Sequence, residues 1–419
     1  MSVEDRVRTA AEATAASVRQ IPPLTLPETS AVSAERHKHR GWLIPLSAAA
    51  AVAALALSLV TLRHAEAPRP APPKADTVAP SVAGIPRYYA IANEGPVSHI
   101  GQKAAITVTV GDVYTGKTVA TAALPAVGVT VGVNSAIGVS AAGDDRTFVV
   151  GRENLYSGTT YFLVHFTPGA KQVATVEKLP IPEENLGVLV GFAVSPNGKE
   201  LAVLSVRGNG TTLRVYSVKS GATLRTWVGG AWRTSYSVYQ EGINVSWTAD
   251  NRQVAFSTVV VATAGGNSAP TALQERLIGV TEPSGDLAVA SKVVLNAPGN
   301  CSSLLLTPDG RTVVCGTKVS YPPVTSATGC GSDEPMFVAY SAATGKRLRV
   351  LSNYTGDCTW LMNTVLWSDD SARHVIGETR TKLQGNPDQY TDRYGVAAAG
   401  QFTKFQVAQH GQWYSAPAF

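Results

Sequence analysis

The sequence is poor in charge, in cysteine and in catalytic signatures, and each shortage argues against a class of protein. Only 16% of its 419 residues are charged while 44% are hydrophobic, which excludes a mainly disordered chain. The net charge is +5 with no basic stripe, which argues against nucleic-acid binding. The sequence has no His-x-x-x-His, Cys-x-x-Cys or Gly-x-Ser-x-Gly motif, so it identifies no catalytic residue, metal ligand or cofactor.

An uncharged apolar run occupies residues 41–62. As a helix it would span roughly 33 Å, enough to cross a bilayer. Basic residues cluster immediately before it, which favours a cytoplasmic N-terminus, although over a wider window the basic residues on the two sides balance. The apolar run, this flank and the four cysteines together predict a single membrane helix with a cytoplasmic N-terminus and an extracytoplasmic C-terminal domain. A cleaved signal peptide is the alternative, since Ala65-Glu66-Ala67 resembles a cleavage site. The apolar run is, however, longer than the usual signal core of about 7–15 residues.

The segments before and after this apolar run differ in composition. Residues 1–40 are predicted to be a cytoplasmic tail with a short helix over 2–20. The tail is either a partly ordered extension or a docking helix for a cytosolic partner, as in anti-sigma factors. Residues 63–86 are rich in Pro and Ala, which is typical of an extended linker.

Turn signals recur along residues 87–419 with a period of about 57 residues. A second turn, of the Asn-Gly or Asp-Gly type, falls between apolar β-branched runs within most units. Four short strands per unit predict an all-β fold, a six-bladed β-propeller with seven blades as the second choice. The C-terminal strand, residues 413–419, is expected to complete the first blade and close the ring. The periodic glycines are Gly116, Gly169, Gly221, Gly285, Gly345 and Gly400.

The strings SPNGKELAVLSV, LTPDGRTVVCGT and TADNRQVAFST carry a family resemblance. They resemble the Ser/Thr-Pro-Asp-Gly-Arg/Lys repeats of TolB-like, YVTN-type and WD-repeat-like propellers. The layout of anchor, linker and repeats also resembles actinobacterial membrane-anchored propeller proteins. The resemblance implies a propeller but no particular function, because propellers include both enzymes and binding modules.

The four cysteines lie together near the end of the chain. We predict two disulfides, Cys315–Cys330 and Cys301–Cys358, the second joining neighbouring blades. Disulfides agree with an extracytoplasmic domain. A four-cysteine zinc site is the alternative, although the spacing does not favour it.

Residues 111–118 match the phosphate-loop pattern G-x-x-x-x-G-K-T, but apolar strand-like residues follow it where a helix would be needed. We therefore expect a hairpin turn there and no nucleotide site. Trp247 and Trp367 occupy the same repeat position, which favours packing between blades.

Long segments all fall on one predicted side of the propeller, which we call the long-loop side: 228–242, 261–273, 318–335, 352–363 and 381–393. Long loops on a rigid scaffold commonly carry binding sites. Their aromatic residues form the candidate binding surface, although some of these rings could simply cover blade ends: Trp232, Tyr236, Tyr239, Tyr321, Tyr354, Trp360 and Tyr390.

The sequence thus favours a non-enzymatic binding or scaffold module for a protein, peptide or cell-wall ligand. A hydrolase or lactonase of the propeller type is the second hypothesis, and it requires acids and histidines in the central channel. A transmembrane signalling role, with residues 1–40 relaying ligand state, is the third.

Overall fold

A computed structural model describes residues 84–94, 105–125, 137–154, 158–169, 173–183, 188–207, 210–229, 245–264, 267–320, 334–354, 360–382, 390–407 and 413–419. These residues all belong to one compact unit, Ala79–Phe419. The predicted tail, the predicted membrane helix and nearly all of the linker lie outside the described residues. Within the described part of the chain, no helix has the length and apolarity needed to cross a bilayer.

The described residues fold into consecutive groups of four antiparallel strands. Sheet one contains β1 (Tyr88–Glu94), β2 (Ile106–Asp112) and β3 (Thr118–Ala123), and sheet two contains β4 (Ile137–Ala141), β5 (Thr147–Asn154), β6 (Gly158–Thr167) and β7 (Val173–Lys178). Sheet three contains β8 (Val188–Val194), β9 (Glu200–Arg207), β10 (Gly210–Ser217) and β11 (Thr223–Gly229).

The second half of the chain continues the same pattern with one added helix. Sheet four contains β12 (Val245–Trp247), β13 (Gln253–Ala264), β14 (Asn267–Gly279) and β16 (Lys292–Asn296). The segment between β14 and β16 contains the short strand β15 (Gly285–Asp286) and helix α1 (Leu287–Ala290). Strand β15 pairs with β11 of sheet three. Sheet five contains β17 (Cys301–Leu306), β18 (Thr312–Ser320), β19 (Pro335–Ser341) and β20 (Arg347–Asn353). Sheet six contains β21 (Trp360–Ser368), β22 (Val375–Lys382), β23 (Tyr390–Ala398) and β24 (Gln401–Phe405), and β25 (Trp413–Tyr414) returns to sheet one.

Apolar side chains fill the seam between each sheet and the next. Phe148 and Val150 pack on sheet one through one face of β5, while Val149 packs on sheet three through the other. This alternation is the two-residue period of a strand buried on both faces. The Trp247 indole N–H donates to the Ala193 carbonyl at 2.9 Å, so this ring packs between sheets three and four, as its repeat position predicts.

Sheet six packs against sheet one, so the series of sheets returns to its start. Tyr89, Ile91, Ile376 and Phe419 share one apolar cluster, and the Phe405 ring meets the Phe419 ring edge-on at 5.9 Å. Four-stranded antiparallel sheets packed face to face, with the last on the first, are the architecture of a β-propeller.

The turn signals have a common backbone conformation. The Asp-type turns each hold one residue at positive φ, in sequence order Asp145, Gly198, Asn251, Gly310 and Ala372. Gly116, Gly221, Gly345 and Gly400 adopt positive φ at the other turn. Gly285 does not: it belongs to β15, and Asp286 after it caps α1 by accepting from two backbone N–H groups. Residues 111–118 run from β2 through a turn into β3, which confirms that the phosphate-loop match is a hairpin.

The disulfide prediction is wrong for both described cysteines, because Cys301 is bonded to Cys315. Cys301 is the first residue of β17. Cys301 lies opposite Thr317 on β18, and Cys315 is the diagonal neighbour two residues away, on the same face of the sheet. The Cα–Cα distance of 5.6 Å suits a disulfide. The predicted partners Cys330 and Cys358 lie outside the described residues.

One of the predicted long loops is largely β-structure, and another begins with paired strand residues. Residues 261–264 and 267–273 extend the β13–β14 hairpin up to the pair Ala264 and Asn267. Beyond Thr317, β18 leaves sheet five and pairs with the start of β21, from Lys318 opposite Met362 to Ser320 opposite Trp360. Strand pairing as well as side-chain packing therefore joins sheets five and six on the long-loop side.

Candidate functional site

The predicted aromatic surface is only partly described by the structure. Trp232, Tyr236, Tyr239 and Tyr321 lie outside the described residues. Trp360 and Tyr390 are the first residues of β21 and β23, and only their backbones are described. Tyr354 is 5% exposed and packs in the apolar cluster between sheets five and six. This ring covers the end of its sheet, and we leave it out of the candidate binding surface.

The innermost strand of each sheet contains no charged residue among those that the structure describes. β4, β8, β12, β17, β21 and β25 contain no Asp, Glu, Lys, Arg or His in their described residues. The strand registers are now known, so acids or histidines are not hidden on these six strands. A lactonase-like or metal-dependent centre built on the channel-lining strands would need such residues.

A charged cluster lies instead on the face of sheet six that turns toward sheet one. Alternate residues of β22 lie on this face, beginning with the apolar Ile376 and continuing with Glu378 and Arg380. Opposite them on β23 are Tyr394 beside Glu378 and Asp392 beside Arg380. We call Glu378, Arg380, Asp392 and Tyr394 the seam cluster.

Arg380 holds the seam cluster together. Its Nε donates to Asp392 Oδ1 at 2.7 Å and its Nη2 to Asp392 Oδ2 at 3.2 Å, which is the two-point pairing that a planar guanidinium favours. The same Nη2 lies 3.4 Å from Glu378 Oε1, and the Tyr394 hydroxyl lies 3.5 Å from that oxygen. One arginine therefore serves two carboxyl groups.

The facing side of sheet one contributes polar but uncharged groups. Tyr89 and Ile91 pack toward sheet six, and alternation places Asn93 on the same face of β1. Thr109 lies directly opposite Ile91 on β2, and the Asn93 side-chain amide donates to its hydroxyl at 3.5 Å. Both residues are buried. The seam thus changes from apolar at Ile376 to polar as β22 runs toward the long-loop side.

The two acids of the seam cluster differ in their exposure. Burial raises the pKa of Glu378 to about 7, against the opposing charge of Arg380 and with a further increase from Asp392. The side chains of Arg380 and Asp392 remain 29% and 15% exposed, so the cluster reaches solvent through this pair. A carboxyl that titrates near neutrality beside a fixed ion pair can both donate and accept hydrogen bonds with a polar ligand.

The seam cluster is not among the residues predicted from the sequence. Its signal is Glu378-x-Arg380 on one predicted strand and Asp392-x-Tyr394 on the next, with the alternation that places all four on one face. Recognising the cluster requires the β22–β23 register, and the sequence of the segment between these strands does not fix that register. Among the described residues, no group of three or more His, Cys, Asp or Glu side chains could hold a metal ion.

No protein-family model matches the chain, and no curated protein matches it in sequence. TolB from Acinetobacter baumannii aligns over 79% of this chain with 13% identity and a TM-score of 0.41, and the match spans 66%, just under two thirds, of that protein. The putative TolB from Agrobacterium tumefaciens aligns over 76% of this chain and 88% of its own, with 10% identity and a TM-score of 0.38.

A periplasmic gluconolactonase from Pseudomonas aeruginosa is also similar, over 78% of this chain and 84% of its own, with 14% identity and a TM-score of 0.39. Similarity this distant carries no argument about ligand or reaction. The protein is a β-propeller by its own strand topology, and TolB-like proteins are among its structural neighbours. The resemblance to actinobacterial anchored propellers stays a prediction.

Proposed function

We propose that this chain is a membrane-anchored, extracytoplasmic six-bladed propeller that binds a polar protein, peptide or cell-wall ligand on its long-loop side. The seam cluster carries the proposal. The Arg380–Asp392 ion pair reaches solvent at the point where the seam between sheets six and one becomes polar. Beside it lies the carboxyl group of Glu378, whose pKa is raised to about 7. Strand β22 leads from this cluster directly into the long segment 383–389.

The six groups of four strands, with β25 completing the first group, support a count of six blades. The anchor, the topology and the extracytoplasmic location come from the apolar run at 41–62 and from the cysteines. The disulfide Cys301–Cys315 supports an oxidising compartment.

The enzyme hypothesis receives less support. Its requirement was a set of acids and histidines at the channel, and the six innermost strands have none in their described residues. The two seam acids share Arg380 and lie on β22 and β23, beside but not on the innermost strand β21.

The binding proposal is tested by ligand capture from cell-envelope extracts with the full-length chain in detergent. The variant Arg380→Gln removes the charge that holds both carboxyls, and we expect captured ligand to fall at least about tenfold, as for a lost charge-assisted contact of 1.5–3 kcal/mol. Arg225→Gln is the matched control, because Arg225 is exposed on β11, on sheet three. Equal loss in both variants, or in neither, would reject the seam cluster as the binding site. Thermal unfolding of both variants verifies that the fold is retained.

The membrane topology is tested on intact cells. External protease should cleave the propeller while the protein remains in the membrane fraction. A shortened, soluble form in the medium would identify a cleaved signal peptide instead.

A further inference from the structure

The side of the propeller opposite the long-loop side is formed by short turns, and we call it the short-turn side. It carries the five Asp-type turns, which connect the first and second strands of sheets two to six. These turns lie side by side around one end of the ring, because neighbouring turns are hydrogen-bonded to one another. From sheet two to sheet five the bonds are 2.8–3.0 Å long: Gly143 N–H to Pro196 O, Asn197 N–H to Asn251 Oδ1, and Ala249 N–H to Pro308 O.

A basic residue occupies the same position in every Asp-type turn. It directly follows the residue at positive φ, and all five are exposed: Arg146, Lys199, Arg252, Arg311 and Arg373. In sheet one the chain enters where this turn would be, and Arg87 takes the equivalent place. The Arg87 carbonyl accepts the Val113 N–H, just as the Arg146 carbonyl accepts the Phe166 N–H. Each of the six sheets therefore places one cation at this position on the short-turn side.

The geometry of the turns holds the acids close to the backbone and leaves the bases free. In four turns an Asp carboxylate accepts the backbone N–H of the basic residue itself, at 2.7–3.0 Å: Asp144, Asp250, Asp309 and Asp369. In contrast, the side chains of four of the basic residues form no ion pair with any described residue: Lys199, Arg252, Arg311 and Arg373. Their long stems carry the charge away from the backbone. An approaching surface therefore meets cations before it meets the turn acids.

The glycine turns, which lie farther from the channel, add further cations to the short-turn side. Lys117, Lys219 and Lys346 are exposed, and their turns contain no Asp or Glu. The corresponding segment of sheet four is the exception, because it exposes Glu282 and Asp286. We leave that segment out of the cationic surface.

The N-terminal part of the chain joins the propeller on this same side. Arg87 N–H donates to Asp145 Oδ2 at 2.9 Å, and Arg87 Nε donates to Asp112 Oδ2 at 2.9 Å, so the start of β1 is bonded to turns of sheets one and two. β1 is the second strand from the channel. Residues 63–86, the predicted linker from the predicted membrane helix, therefore arrive near the centre of the short-turn side.

We propose that the short-turn side docks on the anionic phospholipid surface of the membrane that holds the anchor. Basic side chains that reach a negatively charged bilayer surface are attracted to its headgroups. Docking in this orientation turns the long-loop side away from the bilayer and leaves it accessible to a ligand. The inference rests on the anchor of the proposed function, but it is independent of the seam cluster.

Lysine acetylation of the full-length chain in lipid nanodiscs tests the docking. The nanodiscs contain phosphatidylcholine alone or phosphatidylcholine mixed with phosphatidylglycerol, and mass spectrometry measures the acetylation rate of Lys199 and of the exposed Lys318, near the long-loop end of β18. We expect Lys199 to react at least about threefold more slowly on the anionic nanodiscs, and Lys318 to react equally on both. The difference should vanish in about 1 M salt, where the screening length is about 3 Å.

Two double variants provide a matched comparison. Arg252→Gln with Arg311→Gln removes two free cations and keeps the backbone N–H groups that Asp250 and Asp309 accept. It should weaken docking about 30-fold, at about 1 kcal/mol for each basic residue and about 1.4 kcal/mol for each factor of ten. Lys199 should then react as fast as on neutral nanodiscs. Lys178→Gln with Lys318→Gln removes the same charge from the long-loop side and should leave Lys199 protected, while thermal unfolding verifies each fold.

Equal Lys199 rates on the two kinds of nanodisc, equal protection of Lys318, or equal effects of the two double variants would overturn the proposal. Protection of Lys199 on neutral nanodiscs only after addition of cell-envelope extract would also overturn it, because the occupant would then be an acidic macromolecule. A chain that does not enter nanodiscs removes the anchor and the docking together. A chain that enters them with Lys199 fully reactive removes only the docking. If Arg380→Gln leaves ligand capture unchanged while Lys199 is protected, the seam cluster fails and the docking stands.

Discussion

Ala90 and Ala418 exchange two backbone hydrogen bonds, from Ala90 N–H to Ala418 O at 3.0 Å and from Ala418 N–H to Ala90 O at 2.9 Å. The Ser415 hydroxyl extends this pairing by accepting the Ala92 N–H at 3.0 Å. The last residues of the chain thus lie beside the first strand of sheet one. The Phe419 ring lies 5.8 Å from the Tyr89 ring and 5.9 Å from the Phe405 ring, so it joins the first and sixth sheets.

Removing this C-terminal pairing should therefore destabilise the whole propeller. We expect Phe419→Ala to lower the free energy of unfolding by about 3 kcal/mol, as for other large-to-small changes of buried aromatic residues. Deletion of residues 410–419 should cost more, because it also exposes the edge of β1. Thermal and urea unfolding measure both effects, and the exposed Lys404→Ala is the control. An unchanged midpoint for the deletion would show that the tail does not stabilise the ring.

Gly316 permits the close approach of β18 to β21. A Cβ atom at this position would overlap the backbone carbonyl oxygen of Asn363, which a shift of one side chain cannot relieve. We expect Gly316→Ala to destabilise the protein by about 1–3 kcal/mol through overpacking. Gly299→Ala is the control, since a Cβ there meets nothing within 4 Å. Similar unfolding midpoints for the two variants would contradict this account of the seam between sheets five and six.

Peptide mapping without reductant should recover one cross-linked pair containing Cys301 and Cys315. The bond closes a loop of sequence separation 14, for which chain entropy predicts a stabilisation of about 3 kcal/mol. The double variant Cys301→Ser, Cys315→Ser should lose about that amount in chemical unfolding. A Cys315–Cys330 peptide in the map would restore the pairing expected from the sequence and reject the one in the structure.

Glu275 should make stability fall as pH rises. It is fully buried between sheets four and five, where Oε2 accepts from the Ser257 hydroxyl at 2.7 Å and Oε1 has no hydrogen-bond partner among the described residues. Burial raises its pKa from the ordinary 4.5 to about 8. The unfolded chain therefore loses this proton near pH 4.5 while the folded chain retains it. The stabilisation that protonated Glu275 adds to the free energy of unfolding is fully present below pH 4.5 and is lost as the pH rises through 8.

The matched variant for this effect is Glu275→Gln, which cannot ionise. Relative to the unchanged chain, it should gain stability between pH 5 and pH 9 by an amount on the order of a few kcal/mol. We compare the unfolding midpoints of the two proteins at each pH. The difference gives the effect of Glu275 alone, because the surface acids whose pKa values are lowered are the same in both proteins. Parallel pH profiles for the two proteins would mean that Glu275 is ionised or exposed in the folded state.

The sequence predicted the recurring turns and strands well, because those signals are local. Positive φ at Gly116 and Gly221, and the hairpin at residues 111–118, need only neighbouring residues. The disulfide prediction failed because the Cys301–Cys315 pairing depends on the β17–β18 register, which local pattern does not fix. The long hairpin was missed although Gly265-Gly266 is a two-residue hairpin signal, because the residues around it are mostly small and the segment was taken as a loop.

The amino-acid sequence by itself determined the β-propeller fold and the period of its turns, because alternation and turn chemistry act over a few residues. Only the tertiary structure decided which distant strands meet. It brought Ala418 to Ala90, Cys301 to Cys315, and Glu378 and Arg380 to Tyr394 and Asp392. A shift of one residue in strand register moves every side chain to the opposite face, so the seam cluster depends on a register that local sequence does not encode.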